Sequence, residues 1–152
     1  MRAPLCAVAG LMIFAMSLQP TAMSANAQVE DQTDILIVKS TEKSPEAVVE
    51  AVKSYSKRMK WRYISDSKVK QGKVILLKIC IPEVGRAVWP AGLKLSALLP
   101  CGNLGIYSTG PNTEISMLHP RYMHVLYPHP TTEKASAIAL PLLNEMLESI
   151  VK

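Results

Sequence analysis

The sequence predicts a two-layer α+β sandwich: an antiparallel sheet with helices on one face, in the order strand, helix, four strands, helix. Three patterns predict it. Ile75, Leu77, Ile79 and Ile81 alternate with other residues through 73–81, the period of a strand with one buried face. Val48, Val52, Tyr55 and Met59 recur at spacings of four, three and four, which is one face of a helix. Ala135, Ile138, Ala139, Leu142, Leu143, Met146, Leu147 and Ile150 form a continuous stripe on a second, C-terminal helix.

The elements follow in order. Arg2, an uncharged apolar run from Ala3 to Leu18, and a small-residue end at Ala25-Asn26-Ala27 have the layout of a secretory signal peptide. The apolar run is shorter than the ~20 residues of a membrane span, and Pro20 follows it. Residues 1–27 are therefore expected to be removed between Ala27 and Gln28, sending the product to the periplasm or medium with no remaining membrane span. Residues 28–33 read as a flexible lead-in and 34–152 as one domain. Phe14 is the only phenylalanine, so the core must be built from Leu, Ile, Val and Met with a few Tyr or Trp.

Asp34–Ser40 is rich in β-branched residues and reads as a strand. Ser44-Pro45-Glu46 opens a helix: the serine caps free N–H groups, the proline suits the first helical position, and the glutamate complements the dipole. That helix should end near Met59. Trp61–Asp66 is a short strand, 67–72 a polar turn, and Lys73–Ile81 the strongest strand. Val74, Leu76, Lys78 and Cys80 occupy its less apolar face. Between Pro82 and Pro100 only one helical turn is expected, over Glu83–Val88, broken at Trp89-Pro90-Ala91-Gly92. Asn103–Thr109 and Thr113–His119 form a hairpin around Gly110-Pro111-Asn112. Pro120–Pro130 reads as a loop. The last helix starts at Thr131 or Thr132, and Pro141 should kink or break it.

Three short motifs carry a family resemblance: Ile79-Cys80-Ile81-Pro82, Leu99-Pro100-Cys101-Gly102-Asn103 and Met117-Leu118-His119-Pro120. In order and spacing they resemble the domain of unknown function 302 family. Its members show a strand ending in Cys-Asn-Pro, a strand opening with Leu-Pro-Cys-Asn, and a strand ending in Asp-Pro. The similarity runs from about Thr41 to Met146. It implies a TATA-box-binding-protein-like α+β fold, and places Cys80 and Cys101 at the family's two cysteine positions. Ile81 stands for the family's Asn, Gly102 is an insertion, and His119 replaces the Asp, so a polar site built on those side chains does not transfer.

Function is argued from candidate sites. In an exported protein, Cys80 and Cys101 form a disulfide or a thiol site. A disulfide across their 21-residue separation would contribute roughly 3 kcal/mol. Parity puts both on the sheet face away from the helices, with an expected Cα separation within about 10 Å, near disulfide reach. Met117, His119, Met123, His124 and His129 offer imidazole and thioether ligands suited to copper or haem iron, though in no standard zinc spacing. Lys53, Lys57, Arg58, Lys60, Arg62, Lys68, Lys70 and Lys73 make a basic run that could meet an anionic ligand or serve as a solvated surface.

The formal net charge of +5 is too mild to indicate a nucleic-acid partner. No G-x-S-x-G, phosphate loop or H-E-x-x-H occurs. The expectation is an exported binding or accessory module with a site near Cys80 and Cys101, rather than an enzyme. Two alternatives stand beside it: a thiol-dependent enzyme or redox protein using Cys101 with a histidine, and a soft-metal or haem carrier using His119, Met123, His124 or His129. A homodimer is compatible with the apolar stripe of the last helix.

Overall fold

The computed structural model describes residues 35–97 and 103–152. The expected leader, the Ala27–Gln28 cleavage site, the lead-in and Cys101 lie outside the described residues. In order the elements are β1 (Leu36–Thr41), α1 (Pro45–Arg58), β2 (Arg62–Val69), β3 (Val74–Cys80), α2 (Pro82–Val88), two short 3-10 segments (Trp89–Ala91 and Leu93–Ala97), β4 (Asn103–Thr109), β5 (Asn112–Leu118), α3 (Tyr122–Leu126) and α4 (Pro130–Val151). The five strands form one sheet in the order β1-β5-β4-β3-β2, with every neighbouring pair antiparallel. This is the α+β architecture that the periodicities predict.

Alternation decides which sheet face is covered. Leu77 and Ile79 on β3, Leu104 and Ile106 on β4, and Ile115 and Met117 on β5 are buried. They share the core with Val48, Val49, Val52 and Tyr55 of α1 and with Ala139, Leu143, Met146, Leu147 and Ile150 of α4. Each fully buried Leu or Ile contributes ~1.5–3 kcal/mol of transfer free energy. Ser44 caps α1 as expected, its Oγ accepting from Ala47 N at 3.2 Å. Next to this cap, Lys43 Nζ donates to the Ile150 carbonyl at 2.6 Å and Thr41 Oγ1 to that of Val151 at 3.2 Å. These bonds satisfy orphan carbonyls at the α4 C-terminus and tie it to the β1–α1 corner.

Four local expectations change. β2 extends to Val69, because Ser67, Lys68 and Val69 pair with Leu76, Ile75 and Val74. Partnership overrides their polar composition, and the turn shifts to Lys70-Gln71-Gly72, all at positive φ. The expected Pro120–Pro130 loop contains α3, a helix of one turn that inserts Met123 into the core. α4 continues through Pro141. That proline sits on the exposed side, and the Ala137 carbonyl it frees belongs to an exposed residue within reach of water.

The buried face of α4 is narrower than the expected stripe. Leu143 is fully buried, whereas Ile138 and Leu142 are only half-buried at the margin. The reason is that α4 contacts α1, α2, α3 and β1 together, so its buried arc is centred between neighbours rather than aimed squarely at the sheet. Leu143→Ala should therefore lower stability by ~2–5 kcal/mol in urea unfolding, and Leu142→Ala by less than half as much.

Candidate ligand site on the open face of the sheet

Among the described residues, no helix covers the opposite sheet face. The strand registers order its side chains into cross-strand rows. One row runs Val38, Ser116, Gly105, Leu76, Ser67 from β1 across to β2. Beside it Leu36 pairs with Leu118, while Asn103 pairs with Lys78 and Lys78 with Ser65. On the other side lies the row Ser40, Glu114, Tyr107, Val74, Val69. Large apolar side chains stand in water on this face: Leu36 is 47%, Val38 48% and Leu76 50% exposed.

The middle of the face is depressed. Gly105 and Ser116 are direct cross-strand partners at the centre of the sheet, and neither fills the space that a larger residue would. The result is an open trough of about 610 Å³. Leu36, Leu76 and Leu118 supply its large outward-facing apolar groups, while Ser65, Ser67 and Asn103 add polar ones. Among the described residues, Lys78 is the only charged side chain lining it. A Cβ at Gly105 would lie 2.9 Å from Ser116 Oγ, so that hydroxyl, which donates to the Gly105 carbonyl at 3.4 Å, would have to swing aside. In the adjoining row, burial and then a hydrogen bond to the Glu114 carboxylate hold the Tyr107 phenol above its ordinary pKa; Ser116 acts in the opposite sense.

Cys80 is half-buried at the end of β3, opposite Arg62. It follows Lys78 by two positions on the open-face parity, as the alternation predicts. Asn103 is the partner of Lys78, and Cys101 precedes Asn103 by two positions in sequence.

The three histidines are engaged in local backbone chemistry. His119 Nδ1 accepts from Arg121 N at 3.1 Å. His129 Nδ1 accepts from Thr131 N at 3.2 Å and so caps α4. Both rings must leave Nδ1 unprotonated to accept these bonds. His124 Nδ1 lies 3.3 Å from the His129 carbonyl, an arrangement that calls for a hydrogen on that nitrogen. Met117 and Met123 are core residues, each 3% exposed. Among the described residues, no group of three or more His, Cys, Asp or Glu is placed to hold a metal ion.

The basic run is divided by the hairpin. Lys57, Arg58, Lys60 and Arg62 cluster at one end of β2, and Lys70 and Lys73 at the other. Lys53 bridges Glu50 at 3.0 Å and Asp66 at 3.4 Å, Lys68 bridges Glu46 at 2.8 Å, and the Arg58 guanidinium lies 4.7 Å from the Tyr55 ring centroid. Much of this charge is thus matched locally. Lys68 correspondingly lowers the pKa of Glu46, chiefly by its hydrogen bond.

No family model matches the chain, and no curated protein matches it. Among solved structures, it is similar to the crystal structure of the uncharacterized conserved protein DUF302 from Bacillus stearothermophilus. The TM-score is 0.68 at 17% sequence identity, over 76% of this chain and 98% of that one. The chain has the fold of a DUF302 protein. The DUF302 resemblance read from the cysteine and proline motifs is thus matched by the architecture.

The sequence patterns place Leu76 and Lys78 on the less apolar face of their strand but do not mark them, Gly105 or Ser116 as site residues. A signal for the last two was present: counting back from the Gly110-Pro111 turn pairs a glycine with a serine on the outward parity. The packing of this pair can be measured. Gly105→Ala should cost more stability with Ser116 present than in a Ser116→Ala background, because the second substitution removes the oxygen that the new methyl meets. Urea unfolding of both single variants and the double variant gives the coupling, expected at about 0.5 kcal/mol or more.

Proposed function

We propose that this protein is an exported binding module whose ligand site is the trough on the open face of the sheet, and that its ligand is a small, largely apolar molecule. The observation that carries this reading is the Gly105–Ser116 depression between exposed leucines. Its size lies within the ~300–1,000 Å³ typical of small-molecule sites. Apolar walls with a few polar groups are the usual chemistry of such sites, the former supplying affinity and the latter orientation. Placing the ligand here keeps the expected site on the face that carries Cys80, but centres it on Gly105 and Ser116 rather than on the cysteines.

Export rests on the basic, apolar and small-residue segments of 1–27. Secreted or periplasmic material should begin at Gln28 on N-terminal sequencing; retention of Met1 would remove this part of the proposal. Among the described residues no helix is long and apolar enough to cross a membrane.

A neutral fluorescent naphthylamine probe tests the site. Its emission should rise on binding the protein, and Ser116→Leu, which fills the depression without touching the buried face, should weaken binding at least tenfold. Unchanged binding by a folded Ser116→Leu variant would place the ligand elsewhere.

A further inference from the structure

We infer that the ligand of this trough is a single-chain anionic amphiphile, with its acid group on Lys78 and its alkyl chain laid across β4 and β5 toward Leu36. This rests on the trough being the binding site, and adds the chemical class of what it binds.

Charge is the first argument. Among the described residues, Lys78 is the only charged side chain in the lining and forms no ion pair with a carboxylate. The nearby acids are committed elsewhere. Asp66 bridges Lys53, and Glu114 is the cross-strand partner of Tyr107, whose phenol pKa it raises. Glu114 shares the open face, but lies two strands and four residue levels from Lys78, roughly 16 Å away at normal sheet spacings. Ser65 is the cross-strand partner of Lys78 on one side and Asn103 on the other. A hydroxyl and an amide beside an ammonium can donate to the second oxygen of a bound carboxylate.

Shape is the second argument. From Lys78 on β3, one cross-strand row passes Asn103 on β4 and Leu118 on β5 and ends at Leu36 on β1, and the Gly105–Ser116 depression lies alongside it in the neighbouring row. Three strand spacings span ~14 Å, the reach of an extended chain of about ten carbons. Leu76 stands beside the charged end of this path, and Leu118 and Leu36 beside its far end. One end of the trough is therefore cationic and the other apolar, matching a molecule with a head and a tail. A second copy of the chain fits less well: two-fold pairing of this face would bring two Lys78 side chains into a patch with no carboxylate in its lining.

Calorimetric titration of the purified protein with decanoate, decanol and decyltrimethylammonium tests the assignment, with the neutral naphthylamine probe as displacement reporter. Decanoate should bind at least tenfold more tightly than either of the others. Lys78→Gln, at an exposed position where folding is not at stake, should reduce decanoate binding to the decanol level and leave decanol unchanged. If the probe is displaced equally by decanoate and decanol, the trough is a binding site without a charge preference, and this inference fails while the site stands. If no ligand binds and the probe is insensitive to Ser116→Leu, the site fails too. If light scattering shows a dimer that Ser116→Leu dissociates, the face is a subunit interface, and both are overturned.

Discussion

The structure depends on covering one face of a five-stranded sheet with a single helix layer. The inner side chains of β3, β4 and β5 are packed by α1 and α4 into a core in which Ile79, Ile106, Ile115, Leu143 and Met146 are fully excluded from water. With no phenylalanine after Phe14, branched aliphatic residues fill this layer, joined by Trp61 packed at 5.4 Å on Tyr55. Because side chains alternate strictly across a strand, burying one set commits the other to the opposite face. The open face is the necessary complement of the core.

What that face becomes depends on which residues the register brings together. Exposed Leu36, Val38 and Leu76 would make an ordinary apolar surface if every intervening position carried a large side chain. Gly105 and Ser116 interrupt it at the centre. A glycine inside a strand gives up side-chain packing and backbone entropy, and this one sits where a methyl group would crowd its neighbour's hydroxyl. The fold tolerates that local loss because the buried faces of both strands, through Leu104, Ile106, Ile115 and Met117, hold them in place.

The irregular connections serve a different purpose. α2 and α3 pack on α4, and the histidines of the proline-rich connection spend Nδ1 on shaping turns and capping α4 rather than converging on one point. The edges of the sheet are unlike each other. β2 carries a register shift between Tyr63 and Ser65 and the cations Arg62 and Lys68, features that discourage pairing with another strand. β1 is stitched into the domain instead, through Lys39 to Glu148 at 2.7 Å and through the Lys43 and Thr41 bonds to the end of α4.

By itself, the sequence determined the element order and the buried face of each main element. Both follow from local periodicity: alternation in 73–81 and 103–109, helical spacing in Val48–Met59, and the Ser44-Pro45 start. It also carried the cysteine and proline motifs whose resemblance agrees with the DUF302 fold. Tertiary structure decided the rest, because the rest depends on partners distant in sequence. β2 runs on to Val69 because β3 offers hydrogen bonds to a polar segment. Leu143 rather than Leu142 lies deepest because several elements surround α4 at once. Lys78, Gly105, Ser116 and Leu36 sit on four different strands, and only the order in which those strands pair makes them neighbours on one face.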